Sequence, residues 1–166
     1  MDKKPVLIAF VVTWVVAALP AVALAEKADL VRVKKAEGKL YLLKSGTAFA
    51  EFPIVLGGQP QGPKQREGDE RTPEGRYVLD YKKADSAFFK ALHISYPNAQ
   101  DVAHAKQGGY SPGGAVMIHG QKNGFGWASP IAQLVNWTNG CIALTNDDMQ
   151  AVWDAVDAGT PIEIDP

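Results

Sequence analysis

Ala115-Val116-Met117-Ile118-His119-Gly120 and, further on, Thr138-Asn139-Gly140-Cys141-Ile142-Ala143-Leu144 are the passages on which the reading of this chain turns. Each holds a four-residue apolar run preceded by glycine, too short for a helix and long enough for a buried strand. His119 closes the first run and Cys141, 22 positions later, opens the second. If the two strands are neighbours, imidazole and thiol meet at one edge of a sheet.

The flanking sequence is also strand-like. Leu30 to Val33, Leu40 to Leu43 and Ala48 to Val55 read as an antiparallel opening, with Lys44-Ser45-Gly46-Thr47 as a hairpin connection. Tyr77 to Tyr81 and Ala91 to Ser95 read as short strands, with one helical turn over Asp85 to Lys90 between them. Gly57 to Arg76 is too rich in Gly, Pro and charge for a regular element and reads as a long ordered surface loop. Gln107 to Gly114 reads as a turn-rich connection, and Pro130 to Val135 as a short helix.

The clearest helix starts after Thr145, which forms a capping-box pattern with Asp148. Met149, Val152, Trp153 and Val156 then fall on one face. Gly159 ends it, and Thr160 to Ile164 reads as a closing strand. The expected architecture is mainly β with a few short helices, in one domain without repeats.

Composition bounds the function. The 166 residues hold 17 Lys plus Arg and 18 Asp plus Glu, for a net charge of −1, with 46% hydrophobic and 21% charged positions. Neither a disordered polyelectrolyte nor a collagen-like repeat fits, and no bulk charge asks for nucleic acid. Residues 1–25 read as an export signal: Lys3 and Lys4 precede the apolar stretch Val6 to Leu24, and Ala23-Leu24-Ala25 has the small-x-small cleavage pattern. The alternative is an uncleaved anchor, since the stretch is long enough to span a bilayer. Either way residues 26–166 form a domain outside the cytoplasm, periplasmic or wall-associated, with membrane contact only through an uncleaved N-terminal segment.

Export makes the single cysteine conspicuous, because it can form no disulfide within the chain. A thiol at its ordinary pKa of about 8.5 is mostly protonated at neutral pH and needs a base such as His119. Gly140, lacking a Cβ, lets a substrate approach the main chain, where the Cys141 N–H can receive a developing oxyanion. The bland alternative is a buried, inert thiol.

The passage from Ile118 to Met149 resembles the active-site signature of the YkuD-type L,D-transpeptidases: a strand ending in His-Gly, a loop, then Ser/Thr-x-Gly-Cys and an apolar strand. The run from Gly62 to Tyr77 (GPKQREGDERTPEGRY) is similar to the family's Gly-Asp-x-x-Thr-Pro-x-Gly segment. The resemblance spans roughly residues 38 to 165, and Trp-Thr-x-Gly-Cys-Ile-Ala is similar to a compact subgroup. It implies a β-sandwich or barrel fold with Cys141 as nucleophile and His119 as base. It further implies that the Gly120 carbonyl orients the histidine, that Gly140 is the oxyanion-loop glycine, and that Thr138 shapes the loop or binds substrate.

Asn139 and Ala143 depart from the pattern, standing where many members carry histidine and arginine. The missing arginine removes a cation that can hold a substrate carboxylate, and Arg66, Arg71 or Arg76 are the candidates to replace it, Arg71 foremost. Tyr96 is expected to offer a hydroxyl to substrate, and Trp127 and Trp137 to wall a groove, while Trp153 packs into the core. His93, His104 and His119 with Asp101 lack closely paired ligand spacing, so neither metal nor other cofactor is expected.

The implied activity is acyl transfer on peptidoglycan stem peptides through a cysteine thioester, with release of D-alanine. The acceptor is an amine of a neighbouring stem or of a wall-attached protein. With water as acceptor the same site gives an L,D-carboxypeptidase or cross-link hydrolase. A catalytically silent wall-binding domain is the reading from another class.

Overall fold

The computed structural model describes residues 26–166, so the export segment expected over residues 1–25 lies outside the described residues. Eight strands form one sheet: β1 (Leu30–Lys34), β2 (Lys39–Lys44), β3 (Thr47–Pro53), β4 (Gly75–Ser86), β5 (Phe89–Ile94), β6 (Met117–His119), β7 (Ile142–Ala143) and β8 (Thr160–Asp165). Their spatial order is β3-β2-β1-β8-β4-β5-β6-β7. The pairs β1–β8 and β6–β7 are parallel and the others antiparallel.

Period-2 burial explains the strands. Val31 and Val33 of β1, Tyr77 and Leu79 of β4, and Ile162 and Ile164 of β8 turn inward, while the residues between them face outward or lie half-covered. The sheet curls until its edges meet. Just past β3, Val55 exchanges hydrogen bonds with Ala143 of β7 (Val55 N to Ala143 O 3.0 Å, Ala143 N to Val55 O 2.9 Å), and Gly57 bridges to Thr138. This closure gives the mainly β, barrel-like architecture and leaves few free sheet edges.

Three short helices accompany the sheet: α1 (Ala99–Gln107), α2 (Ser129–Ala132) and α3 (Asn146–Ala155). Thr145 caps α3, accepting from Asp148 N at 3.1 Å and donating to Asp148 Oδ2 at 2.8 Å. Met149, Val152 and Ala155 of α3 are buried on the core face, joined by Val156 just beyond it.

Residues 85–90 are not helical as expected. They form a tight β4–β5 hairpin with Ser86 opposite Phe89. Contacts distant in sequence hold it: Phe89 N donates to Asn123 Oδ1 at 2.8 Å and Gly120 N to Phe88 O at 3.1 Å. Helix α1 was not expected, because Ala105 is its one buried residue and no apolar stripe marks it. Its signal is instead the Asn98–Asp101 capping box. Strand β4 is longer than the sequence suggested, and β6 begins at Met117 because Ala115 sits at positive φ.

The stretch between β3 and β4 is ordered but not merely superficial. Lys64, Thr72 and Pro73 are buried within it, and it runs behind the loop that carries Gly140.

Candidate active site

Strands β6 and β7 place Ile118 opposite Ile142 and His119 opposite Ala143. Side chains alternate along a strand, so the fully buried Ile118 and Ile142 point into the core while His119 takes the opposite face. Cys141, one residue before Ile142, takes that face too. Both line a cavity of about 440 Å³ whose walls include Phe88, Met117, Trp137 and Thr138. Phe88 lies 4.7 Å from the His119 ring and Trp137 5.9 Å, centroid to centroid.

His119 Nδ1 is 2.7 Å from the Gly120 carbonyl. A carbonyl only accepts, so Nδ1 carries the ring proton and Nε2 keeps its lone pair. Burial pushes the imidazole pKa below its ordinary value, against the opposing pull of that carbonyl. Burial also pushes the Cys141 thiol up, against the Met117 N–H and the Lys64 ammonium. The resting pair at neutral pH is therefore thiol and neutral imidazole, with the thiol donating to Ala115 O at 3.8 Å. Such a pair suits general-base activation coupled to attack rather than a standing ion pair.

The loop before the cysteine is tied from both sides. Thr138 Oγ1 donates to Cys141 O at 2.7 Å and accepts from Gly140 N at 3.1 Å. Gly140 has φ +119°, and a Cβ there would lie 2.5 Å from the Arg71 carbonyl oxygen, so only glycine fits. Cys141 precedes β7 and lies outside the paired register of β6 and β7.

Behind this loop sits a buried ion pair between Asp69, the acid of the Gly-Asp-x-x-Thr-Pro-x-Gly segment, and Lys64, which lies outside that motif and carried no signal. Lys64 Nζ lies 2.8 Å from Asp69 Oδ1 and 3.1 Å from Arg66 O, and the Lys64 side chain is 4% exposed. Asp69 also accepts from the backbone N–H groups of Gln65, Arg66 and Arg71. Burial alone would raise its pKa, but the ammonium and three N–H donors outweigh it and hold the carboxyl at about 2.

The structure does not gather every expected residue here. Tyr96 is 3% exposed and its hydroxyl donates to Pro112 O at 2.9 Å, so it has no free hydroxyl to offer the cavity. Arg71 and Arg66 line a different cavity, and Arg76 lies on β4, 3.1 Å from Glu163. Trp137 walls the site while Trp127 stands exposed, and Trp153 packs on the core under Lys82. His93 pairs with Asp80 at 2.7 Å and His104 lies against Tyr110. Among the described residues no three His, Cys, Asp or Glu side chains converge as a metal site. Phe88 and Met117 had no sequence signal, because the first depends on a hairpin and the second on strand register.

The "Putative L,D-transpeptidase YafK" of Escherichia coli (strain K12) is 36% identical over 97 residues, 57% of this chain and 32% of YafK. The helical cell shape determining protein Pgp2 of Campylobacter jejuni superposes with a TM-score of 0.61 at 26% identity, over 81% of this chain and 46% of Pgp2. L,D-transpeptidase 3 of Mycobacterium tuberculosis shares the fold, with a TM-score of 0.53 at 18% identity over 82% of this chain and 60% of that one. The chain thus spans under half the length of YafK and of Pgp2. The family profile of the L,D-transpeptidase catalytic domain, YkuD, matches residues 28–164, and the chain belongs to that family.

Proposed function

We propose that this protein is an exported cysteine acyltransferase that remodels peptidoglycan by L,D-transpeptidation, reaching the periplasm or cell wall by way of its N-terminal segment. The observation that carries the reading is the parallel β6–β7 pair, which sets His119 and Cys141 on one face of one aromatic-walled cavity. Family membership supplies the substrate class.

In this mechanism Cys141 Sγ attacks the carbonyl of the third, L-centre diamino acid of a stem tetrapeptide as His119 Nε2 takes the thiol proton. The tetrahedral oxyanion is received at the Cys141 N–H, in a loop held by Thr138 and Gly140. Collapse breaks the C–N bond, and His119 returns the proton to the departing D-alanine amine, leaving a thioester. An incoming amine then attacks the thioester, with His119 again taking the proton, and the thiol is restored. The Gly120 carbonyl keeps the imidazole in the required tautomer and stabilises it when protonated.

Mature protein incubated with tetrapeptide-containing muropeptides tests this. D-Alanine release that disappears in Cys141→Ala is expected, with cross-linked dimers as the product of amine transfer. Tripeptides alone would assign the acceptor role to water. No turnover, with tight binding to the wall polymer, would refute the enzyme reading.

A further inference from the structure

A second cavity, of about 490 Å³, opens on the other side of the catalytic loop and includes Gln59, Gln65, Arg66, Glu70, Arg71 and Tyr110 in its lining. The two cavities share a thin partition. Gly58 N donates to Thr138 O at 3.0 Å and Gln59 N to Glu70 O at 3.1 Å. A Cβ on Gly57 would lie 2.0 Å from Glu70 O and 3.1 Å from Gly140 Cα, and one on Gly140 would lie 2.5 Å from Arg71 O. The backbone of residues 70–71 is therefore wedged against Gly57 and Gly140, while Arg71 also lines the second cavity and carries its guanidinium over Gly62, Nη1 3.3 Å from where a Cβ would stand.

The charges in that cavity do not cancel. Of its two carboxylates, Asp69 is committed to Lys64 and to three backbone N–H groups. Glu70 lies over Gly58, its Oε2 2.6 Å from where a Cβ would stand. Among the described residues neither Arg66 nor Arg71 pairs with a carboxylate, so the residues that line this cavity bring two unpaired guanidiniums and one uncommitted acid. Two primary amides and a phenol complete a lining rich in donors. Planar guanidinium forks match carboxylates in pairs of hydrogen bonds.

Ala143 stands where the resemblance puts an arginine in many members of the family. It is fully buried and both of its backbone groups bond to Val55 in the barrel closure, so the strand has no room there for a long cationic side chain.

We propose that the cavity on the far side of the loop is a carboxylate subsite, in which Arg66 and Arg71 hold a free carboxylate of the acidic peptide that spans the loop from Cys141. This inference rests on the transpeptidase reading for its substrate class, and it assigns a determinant of affinity rather than a reacting group. Donor and acceptor peptides both carry such carboxylates, and the experiment separates them.

The test begins with binding, so that it is read even if turnover fails. Cys141→Ala protein is titrated calorimetrically with a stem tetrapeptide in free-acid form and with its fully amidated counterpart. The free acid is expected to bind about 10- to 100-fold more tightly, as a charge-assisted pair implies. Arg66→Ala is expected to erase most of that difference, and Arg71→Lys, which keeps the charge but loses the planar fork, a part of it, with the affinity for the amide unchanged. Arg66 is exposed and Arg71→Lys keeps the charge, so both are expected to fold, and a thermal melt checks it. In wild-type protein, amidating the donor alone or the acceptor alone raises KM only for the chain that occupies the cavity, with kcat little altered. Equal binding of acid and amide, or variants that weaken both equally, would overturn the subsite. Absence of D-alanine release by wild-type protein would instead overturn the proposed activity and leave the binding result standing.

Discussion

Asp69→Asn tests how the buried pair behind the Gly140 loop works. A carboxyl held at about 2, against about 3.9 in an unfolded chain, contributes roughly 2.5 kcal/mol to folding at neutral pH. Because the folded value is depressed, that stability is fully present above about pH 4 and is lost as pH falls through about 2. The asparagine variant loses it at all pH values. It also leaves the Lys64 ammonium, 4% exposed, without a counter-charge, with only neutral oxygens to accept from it. Removing one member of a buried pair costs about 3–5 kcal/mol.

Lys64→Met is expected to cost less, about 1.5–3 kcal/mol, since it removes the ammonium's bonds to Asp69 and to the Arg66 carbonyl but Asp69 keeps its three backbone N–H donors. In the double variant Asp69→Asn should be milder than alone, because no orphan ammonium remains. Urea unfolding followed by tryptophan fluorescence at pH 7 measures all three, and repetition at pH 3 should shrink the gap between wild type and Asp69→Asn. If Lys64→Met is as damaging as Asp69→Asn, or the two effects simply add, the asymmetry argued from the hydrogen-bond inventory is wrong.

Other expectations follow from single contacts. Gly140→Ala forces a Cβ against Arg71 O at a positive φ, so strain of about 1–3 kcal/mol and a 10²- to 10³-fold slower acylation by a carbapenem are expected; wild-type acylation kinetics by mass spectrometry would remove the oxyanion role of the loop. Iodoacetamide labelling of Cys141 should keep accelerating through pH 9, because burial raises the thiol, and a plateau below pH 7 would indicate a standing ion pair instead. Thr138→Val strips partners from Gly140 N and Cys141 O at about 1–3 kcal/mol each, while Thr138→Ser retains them, as thermal melts should show. Phe88→Ala uncovers His119, so the acidic limb of the pH–rate profile should move up towards the ordinary histidine pKa; an unmoved limb would mean that Phe88 does not provide the burial.

Much of the strand inventory was legible because burial on one side leaves a period-2 trace, as in Val31 and Val33 or Ile162 and Ile164. The Thr145 cap and the α3 face were legible for the same local reason. Residues 85–90 were misread because the bonds from Asn123 and Gly120 that bend them into a hairpin come from more than 30 positions away. Tyr96 does not offer substrate the expected hydroxyl, because Pro112, 16 positions away in sequence, takes it.

Local chemistry alone therefore settled which residues stand out: an unpaired thiol behind glycine, a histidine at a strand end, and a loop too charged to be regular. Those are properties of residue type and short spacing, and a linear chain carries them openly. The pairing of β6 with β7, the closure of the barrel through Val55 and Ala143, and the burial that raises one pKa and lowers the other came from three-dimensional packing. The Lys64–Asp69 wedge and the two-guanidinium cavity did too. Each needs segments separated along the chain to exclude water together, and desolvation is a property of the packed assembly that no single stretch of sequence possesses.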